Sequence, residues 1–173
     1  MTDMPYSELV ALFAGRLPTG ELALRHTAVI PASQAEIWNA FTTTEGLRSF
    51  VAPVIDLDFR IGGRWESSYN PQSKIGDPAN IANEVMCYLP PEMLAIRIIQ
   101  TPPGFPDPEL GKRLWTVMQF EARGDRETKV TITMLGWADG DEASPVFELF
   151  RRGNVYTLGK LYERFRSGPH VWD

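Results

Sequence analysis

The chain has 173 residues, of which 43% are hydrophobic and 23% charged, and its formal net charge is −5. These proportions are ordinary for one soluble globular domain, and no run of Lys and Arg could follow a phosphate backbone, so we expect no nucleic-acid partner. No apolar stretch reaches the about 18 residues of a membrane-spanning helix, so stable membrane insertion is not expected. The single cysteine, Cys87, excludes an intrachain disulfide, and its apolar strand context predicts a buried, unreactive thiol.

The N-terminal segment is predicted to be a helical extension covering residues 1–20, with a short amphipathic helix over residues 6–16. Its apolar run, residues 9–15, is similar to the core of an export signal. However, the acidic Asp3 and Glu8 precede that run and no basic residue does. We therefore predict a cytoplasmic protein, with export as the alternative.

A strand over residues 22–30 and then two short helices are predicted next. Ser33 and Glu36 have the spacing of a capping box, in which the serine hydroxyl accepts from a free amide and the glutamate reaches back to the cap. The helix that they start carries Ile37 and Phe41 on its apolar side. The second helix is shorter and stops before Pro53.

Six more strands are predicted, mostly joined as hairpins by short turns, which favours an antiparallel sheet. They cover residues 54–59, 64–69, 83–89, 93–100, 114–122 and 128–137. A stiff proline-rich loop, residues 101–108, separates the fourth of these strands from the fifth.

The last element is a long helix over residues 143–167, with Phe147, Phe150, Leu158 and Leu161 on one apolar stripe. A helix of this length needs a broad apolar surface, and the inner face of the sheet is the only one large enough. Asn154 lies in the middle of the stripe. It is either a satisfied core amide or a polar group that points into a space between helix and sheet.

Three stretches resemble a known family: residues 30–47 (IPASQAEIWNAFTTTEGL), 59–65 (FRIGGRW) and 89–94 (LPPEML). They are similar to the START-like (SRPBCC) superfamily, in the branch named for the activator of the heat-shock-protein ATPase. The resemblance implies an α+β helix-grip fold, with a seven-stranded antiparallel curved sheet wrapped around the C-terminal helix and a cavity for hydrophobic ligands. It implies a domain over residues 21–168 and a tail over 169–173. It does not imply one chemistry, since relatives include lipid carriers, aromatic cyclases, hormone receptors and chaperone regulators.

Few residues could support catalysis. The only histidines are His26, predicted as a partly exposed strand residue with a lone acid–base role as the alternative, and His170, in a tail predicted to be disordered. The sequence therefore offers too few histidine and cysteine residues for a metal site or a Ser-His-Asp triad, and we expect no metal and no cofactor.

Binding residues are more plentiful. If the apolar strand positions face inward, methionine and aromatic side chains form an adaptable wall for a small molecule, although a filled core would contain the same residues. Phe105, between prolines, is the predicted gate. The predicted ligand-contacting residues are Trp65, Tyr69, Met86, Tyr88, Ile98, Phe105, Met118, Phe120, Met134, Phe150 and Asn154.

The predicted function is therefore the binding of a hydrophobic or amphipathic small molecule between the sheet and the C-terminal helix. Two alternatives remain open. The first is a cyclase-like or dehydratase-like enzyme that uses His26, Tyr69 or Asn154. The second is a protein-binding module that regulates a chaperone partner or pairs with a second copy as a homodimer.

Overall fold

A computed structural model of the chain describes residues 5–172, which contain eight β-strands, four α-helices and a single 3-10 turn, Asp141–Ala143. The strands are β1 Ala11–Arg16, β2 Leu22–Ile30, β3 Val54–Leu57, β4 Arg64–Ser68, β5 Ile81–Leu89, β6 Met93–Gln100, β7 Trp115–Ala122 and β8 Thr128–Leu135. The helices are α1 Gln34–Thr42, α2 Thr44–Arg48, α3 Pro108–Arg113 and α4 Pro145–Ser167.

All eight strands form one antiparallel sheet in the order β1-β2-β8-β7-β6-β5-β4-β3. Strands β3 to β8 follow one another as hairpins, and β2 joins the sheet beside β8, the last strand in the chain. The 23-residue α4 lies on the inner face. The predicted α+β helix-grip fold, with two short helices after the strand at residues 22–30, is confirmed.

The predicted N-terminal helix is wrong, and the sheet has eight strands instead of seven. Residues 11–16 pair antiparallel with β2, from Ala11 opposite Thr27 to Arg16 opposite Leu22. An isolated helix of so few residues is marginal in water, whereas the free edge of β2 offers a full set of backbone partners. The turn between the two strands is closed by Leu17 N, which donates to Glu21 O at 2.9 Å.

Local signals define the helix starts. The capping box is confirmed: Ser33 Oγ accepts from Glu36 N at 3.3 Å, and the Glu36 carboxylate accepts from Ser33 N at 2.8 Å. Helix α3 was not predicted, although Asp107 caps it by accepting from Leu110 N at 3.0 Å. The prolines around α3 favoured a loop, but Pro108 stands at the first helical turn, where proline is tolerated.

Two hydrophobic clusters anchor α4 at its ends. The larger cluster joins α1, α2 and the C-terminal part of α4, with Phe41 and Leu158 almost fully buried. The smaller cluster joins α3, the start of β2 and the N-terminal part of α4, where the Trp137 and Phe147 rings lie 4.8 Å apart. Between these clusters, the middle of α4 faces a stretch of sheet with no comparable packing.

Two further expectations are wrong. The tail is attached to α2: His170 N donates to Ser49 O at 2.8 Å, and Trp172 Nε1 donates to Arg48 O at 2.6 Å. Cys87 is exposed, because a bulge in β5 between Val85 and Cys87 turns its side chain to the outer face. Within residues 5–172, no helix is long and apolar enough to cross a bilayer.

Candidate ligand-binding site

A cavity of about 390 Å³ lies between α4 and strands β4 to β8, in the gap between the two hydrophobic clusters. Ligand pockets in proteins usually span about 300–1,000 Å³, so this space can hold a small organic molecule. Its lining is mainly aliphatic and aromatic, and none of its lining side chains carries a formal charge. The arrangement suits an uncharged apolar guest.

The sheet side of the cavity is set by strand register. Trp65 on β4 lies directly opposite Asn83 on β5, and Asn83 lies opposite Ile98 on β6. Directly opposite residues of antiparallel strands share a face, so these three side chains form one row on the cavity wall. Ile96 and Thr116 form a second row by the same pairing between β6 and β7.

The helix side is formed by small and polar residues of α4. Leu149, Gly153 and Thr157 follow one another at a spacing of four, so they lie along one face of the helix. A Cβ atom placed on Gly153 would have no other atom within 4 Å. Asn154, next to it, has only a long contact from its Nδ2 to Met134 Sδ at 3.4 Å. Gly153 is itself exposed, so the helix leaves this side of the cavity open.

The mouth of the cavity is marked by side chains that reach solvent. Tyr69 is 60% exposed and Leu149 is 44% exposed. Desolvation by the surrounding protein nevertheless raises the pKa of the Tyr69 phenol. The two observations agree if water reaches the side chain through the cavity while protein atoms surround its hydroxyl.

Phe105, the predicted gate, lies on the rim of the cavity. Its ring packs against Phe150, with the ring centroids 6.3 Å apart, and against Gly111 of α3. A Cβ atom on Gly111 would come within 2.8 Å of that ring, so the missing side chain makes room for Phe105.

Seven of the eleven predicted ligand-contacting residues line the cavity. They are Trp65, Tyr69, Ile98, Phe105, Met118, Phe150 and Asn154. Whether these residues contact a ligand remains a prediction, but the structure brings them together around one space.

The other four lie elsewhere, and their predicted place on the cavity wall is wrong. Met86 is the extra residue of the β5 bulge, which breaks the alternation on which its prediction rested. Tyr88, beyond the bulge, stacks on Phe59 with the ring centroids 4.6 Å apart. Phe120 is covered by α1, with its ring 5.0 Å from that of Phe41. Met134 faces inward but is buried in the smaller cluster, beneath Asn154.

His26 is fully buried beneath α4, so the expectation of a partly exposed residue is wrong. Its Nε2 lies 3.0 Å from Arg151 O, which identifies Nε2 as the protonated nitrogen, and its Nδ1 has no partner within the described residues. Burial lowers the pKa of His26, although the hydrogen bond to Arg151 O opposes this effect. His26 is absent from the cavity lining, so the three residues of the enzyme alternative are not assembled around the space.

Sequence reasoning missed the polar part of the lining, above all Ser67 and Asn83. Both are nearly buried and, together with Trp65, they form what we call the polar wall. Ser67 is two residues from Trp65 on β4, so the strand period places both on one face. That signal was available in the sequence, whereas the pairing of Asn83 with Trp65 was not. Over residues 5–172, no three His, Cys, Asp or Glu side chains are grouped closely enough to hold a metal ion.

The sequence matches one protein family over most of its length. The family is described as Activator of Hsp90 ATPase homolog 1-like protein, and the match covers residues 31–166. This range begins after β2 and ends one residue before α4 does. No curated protein matches the chain by sequence.

Solved structures share the fold at low sequence identity. The Aha1 dimer from Colwellia psychrerythraea is 18% identical, with a TM-score of 0.65 over 84% of this chain and 97% of that one. CalU16 from Micromonospora echinospora is 18% identical, with a TM-score of 0.61 over 94% and 85%. An HSP90 activator from Plasmodium falciparum is 17% identical, with a TM-score of 0.59 over 84% and 94%. At such identities the likeness establishes the fold alone.

Proposed function

The chain belongs to the Activator of Hsp90 ATPase homolog 1-like family, and from this premise we propose that it binds a hydrophobic small molecule between its sheet and α4. The observation that carries the proposal is the cavity of about 390 Å³ with its uncharged, mainly apolar lining. A mainly apolar pocket with a few polar groups is the usual composition of a small-molecule site, and this space has that composition.

The middle of α4 supports the same proposal. At Gly153, Asn154 and Thr157 the helix carries small or polar side chains above the cavity, whereas large apolar residues occupy both of its ends. An apolar molecule in the space would remove the exposed parts of Ile98, Met118 and Phe150 from water, at about 25 cal/mol for each Å² covered.

Titration with N-phenyl-1-naphthylamine, an uncharged dye that fluoresces in apolar surroundings, tests the proposal. We expect saturable binding to the protein and at least about tenfold weaker binding to Gly153→Phe, whose ring would enter the space, a change of roughly 1.4 kcal/mol. The matched control is Arg152→Phe, which adds the same ring one residue away on the exposed side of the helix. Equal affinities for the two variants, or no saturable binding to the original chain, would overturn the proposal.

A chaperone-regulating role is the second candidate. Its support is the description of the family and the HSP90 activator from Plasmodium falciparum that shares the fold. The test is whether the purified protein raises the ATPase rate of an Hsp90-class chaperone. An unchanged rate, with no complex on sedimentation, would exclude this role for the chaperone tested.

Self-association is a separate proposal, prompted by the Aha1 dimer from Colwellia psychrerythraea. Strand β1 is one of the two edge strands of the sheet, the other being β3, and Leu12 and Phe13 on β1 are about two-fifths exposed. Sedimentation velocity of the purified chain and of Phe13→Lys distinguishes a dimer through this edge from a monomer, because a charge on the edge strand opposes strand pairing.

A further inference from the structure

We propose that the ligand carries an uncharged hydrogen-bonding group, such as a carbonyl, amide or hydroxyl, which docks on Trp65 and Asn83 while its apolar body lies across Ile98, Met118 and Phe150. The inference rests on the proposed function and specifies the chemical class of the molecule bound. It makes the polar wall the part of the cavity that determines specificity.

The first argument is an unused donor. The Trp65 ring lines the cavity and the residue is only 6% exposed, yet its Nε1–H has no hydrogen-bond partner within the described residues. A buried donor without a partner destabilises the folded chain, because it has lost its bond to water without a replacement. Protein atoms cover this nitrogen, so we expect a ligand acceptor to receive the unused hydrogen bond only where it displaces part of that cover.

The second argument is the neighbour of Trp65 across the strand pair. Asn83 lies opposite Trp65 on the same face, is nine-tenths buried and lines the cavity. Within residues 5–172 its side-chain amide makes no hydrogen bond, in contrast to the amide of Asn80, which makes three. Asn83 therefore offers a donor and an acceptor next to the donor of Trp65, and Ser67 adds a hydroxyl one step along β4.

On the α4 side of the cavity, part of the hydrogen-bonding capacity is already used within the protein. Thr157 Oγ1 donates to Gly153 O at 3.0 Å within α4, and Asn154 Nδ2 contacts Met134 Sδ. At the β4–β5 wall, Asn83 and Trp65 both keep free hydrogen-bonding capacity within the described residues, and most of the remaining lining is apolar. This asymmetry fits a molecule with one polar end.

The third argument excludes a charged ligand group. None of the lining residues is charged, and the buried carboxylate of Glu66 lies on the opposite face of β4, where Asn80, Gly76 N and Arg64 donate to it. A carboxylate or phosphate entering the cavity would lose its hydration without gaining a cation. The polar end of the ligand is therefore neutral.

The test uses three compounds that share one ring system: 2-naphthamide, 2-naphthoate and 2-methylnaphthalene. Each is used to displace N-phenyl-1-naphthylamine from the protein. We expect 2-naphthamide to bind about tenfold more tightly than either of the others, since it alone is neutral and can bond to the polar wall, a difference of roughly 1.4 kcal/mol.

Two variants locate the effect. Asn83→Leu, which has nearly the same shape, and Trp65→Phe, which removes the indole donor, are each expected to reduce the preference for 2-naphthamide over 2-methylnaphthalene to about threefold or less, while dye binding persists. The matched control is Thr157→Val. The Thr157 hydroxyl already donates to Gly153 O, so its removal should leave the preference for 2-naphthamide unchanged. Trp65→Phe decides the question if Asn83→Leu lowers stability too far for measurement.

The outcomes separate the two proposals. Saturable dye binding with equal affinity for the three compounds, or with 2-naphthoate the tightest, overturns the inference and leaves the proposed function in place. Unchanged selectivity in both Asn83→Leu and Trp65→Phe also overturns it. If neither the dye nor any of the three compounds binds, both the inference and the proposed function are wrong.

Discussion

The inner face of the sheet has two halves that are built alike but covered differently. In the packed half, formed by β2 and by β8 apart from Ile132, Leu24, Ile30 and Val130 are buried against α1 or the ends of α4. In the hollow half, formed by β4, β5 and β6, Trp65, Asn83 and Ile98 border open space. Both halves alternate inward and outward residues, so strand sequence alone does not explain why one is filled.

The difference lies in what stands opposite the sheet. Over the packed half, α4 presents Phe147, Val155 and Leu158. Over the hollow half it presents Gly153, Asn154 and Thr157 together with Leu149 and Phe150, and Phe41 of α1 also borders the space. A cavity therefore forms where the covering helix has small and polar side chains. The sequence of α4 determines the position of the cavity more than the sequences of the strands do.

The largest expected difference between the halves is the cost of deleting an apolar side chain. Leu158→Ala should lower the free energy of unfolding by about 3–5 kcal/mol, because Leu158 is fully buried and its removal leaves a new void. Ile98→Ala should cost only about 1–2 kcal/mol, because Ile98 already borders open space and loses fewer contacts. Urea unfolding measures both values.

Arg152→Ala, at an exposed position of α4, is the control for any general effect of truncation and should change stability by less than about 0.5 kcal/mol. Equal losses for Leu158→Ala and Ile98→Ala would contradict the comparison. They would mean that the hollow half is closed and packed in solution.

Hydrogen bonds on the outer face of the sheet stabilise the hollow half. Glu66 on β4 is 2% exposed, and its Oε1 accepts from Asn80 Nδ2 and from Gly76 N, both at 2.6 Å. Its Oε2 accepts from Arg64 Nε at 3.1 Å. Burial on its own raises the pKa of Glu66, but the hydrogen bonds from Asn80, Gly76 and Arg64 outweigh it, so this pKa lies below its ordinary value of 4.5.

Glu66→Gln should therefore lower the free energy of unfolding by about 1–3 kcal/mol at pH 7. The NH₂ group of the new glutamine would face groups that are themselves hydrogen-bond donors, so it would have no acceptor. Since folding lowers the pKa of Glu66, its contribution is complete above pH 4.5 and is lost as the pH falls through the folded-state pKa. Urea unfolding of both proteins at pH 7 and in acid should show the difference shrinking in acid. A difference that stays constant with pH would rule out the buried carboxylate as its cause, and Glu109→Gln, on a side chain that is 86% exposed, is the control.

The two glycines of α4 sharpen the comparison on a smaller scale. Gly153→Ala, above open space, should raise the free energy of unfolding by about 0.5–1 kcal/mol, because alanine favours the helix and meets no neighbour. Gly159→Ala should lower it by about 1–3 kcal/mol, because the new methyl would overlap the ring of Tyr6.

The Tyr6 hydroxyl also donates to Glu163 Oε1 at 2.6 Å, so displacing that ring releases the N-terminal segment from α4. Thermal and urea unfolding measure the stability of both variants. Each variant is the control for the other, because both replace a glycine of α4 by alanine. A loss of stability in both would show that the space above Gly153 is occupied.

The features of the fold and the cavity that could be predicted from the sequence are those that depend on residues close together in the chain. The capping box at Ser33, the hairpin turn at residues 62–63 and the apolar stripe of α4 act within a few residues, and they led to the correct fold. The bulge at Met86 and the pairing of β1 with β2 depend on partners distant in sequence or on a single extra residue, and both were missed. For the same reason Trp65 was placed on the cavity wall from its strand period, whereas Asn83 needed the register between strands.

His26 tests the other side of the comparison, namely whether the packed half excludes water. The imidazole is fully buried between β2 and α4, and within residues 5–172 its hydrogen bond is the 3.0 Å contact with Arg151 O. Burial lowers its pKa, and the nearby charge of Arg151 acts in the same direction, so the folded chain holds it neutral at a pH where the unfolded chain protonates it.

The unfolded chain therefore binds more protons than the folded chain as the pH falls below about 6.5, and stability must decline, by at most about 1.4 kcal/mol per pH unit for this one group. Urea unfolding at pH 7.5, 6.5 and 5.5 should show a steeper decline for the original chain than for His26→Phe, which keeps a ring of similar size but cannot be protonated. The other histidine, His170, is present in both proteins and its contribution cancels in the difference. Parallel curves would mean that His26 titrates in the folded chain as it does in water, and the packed half would then be as accessible to solvent as the hollow one.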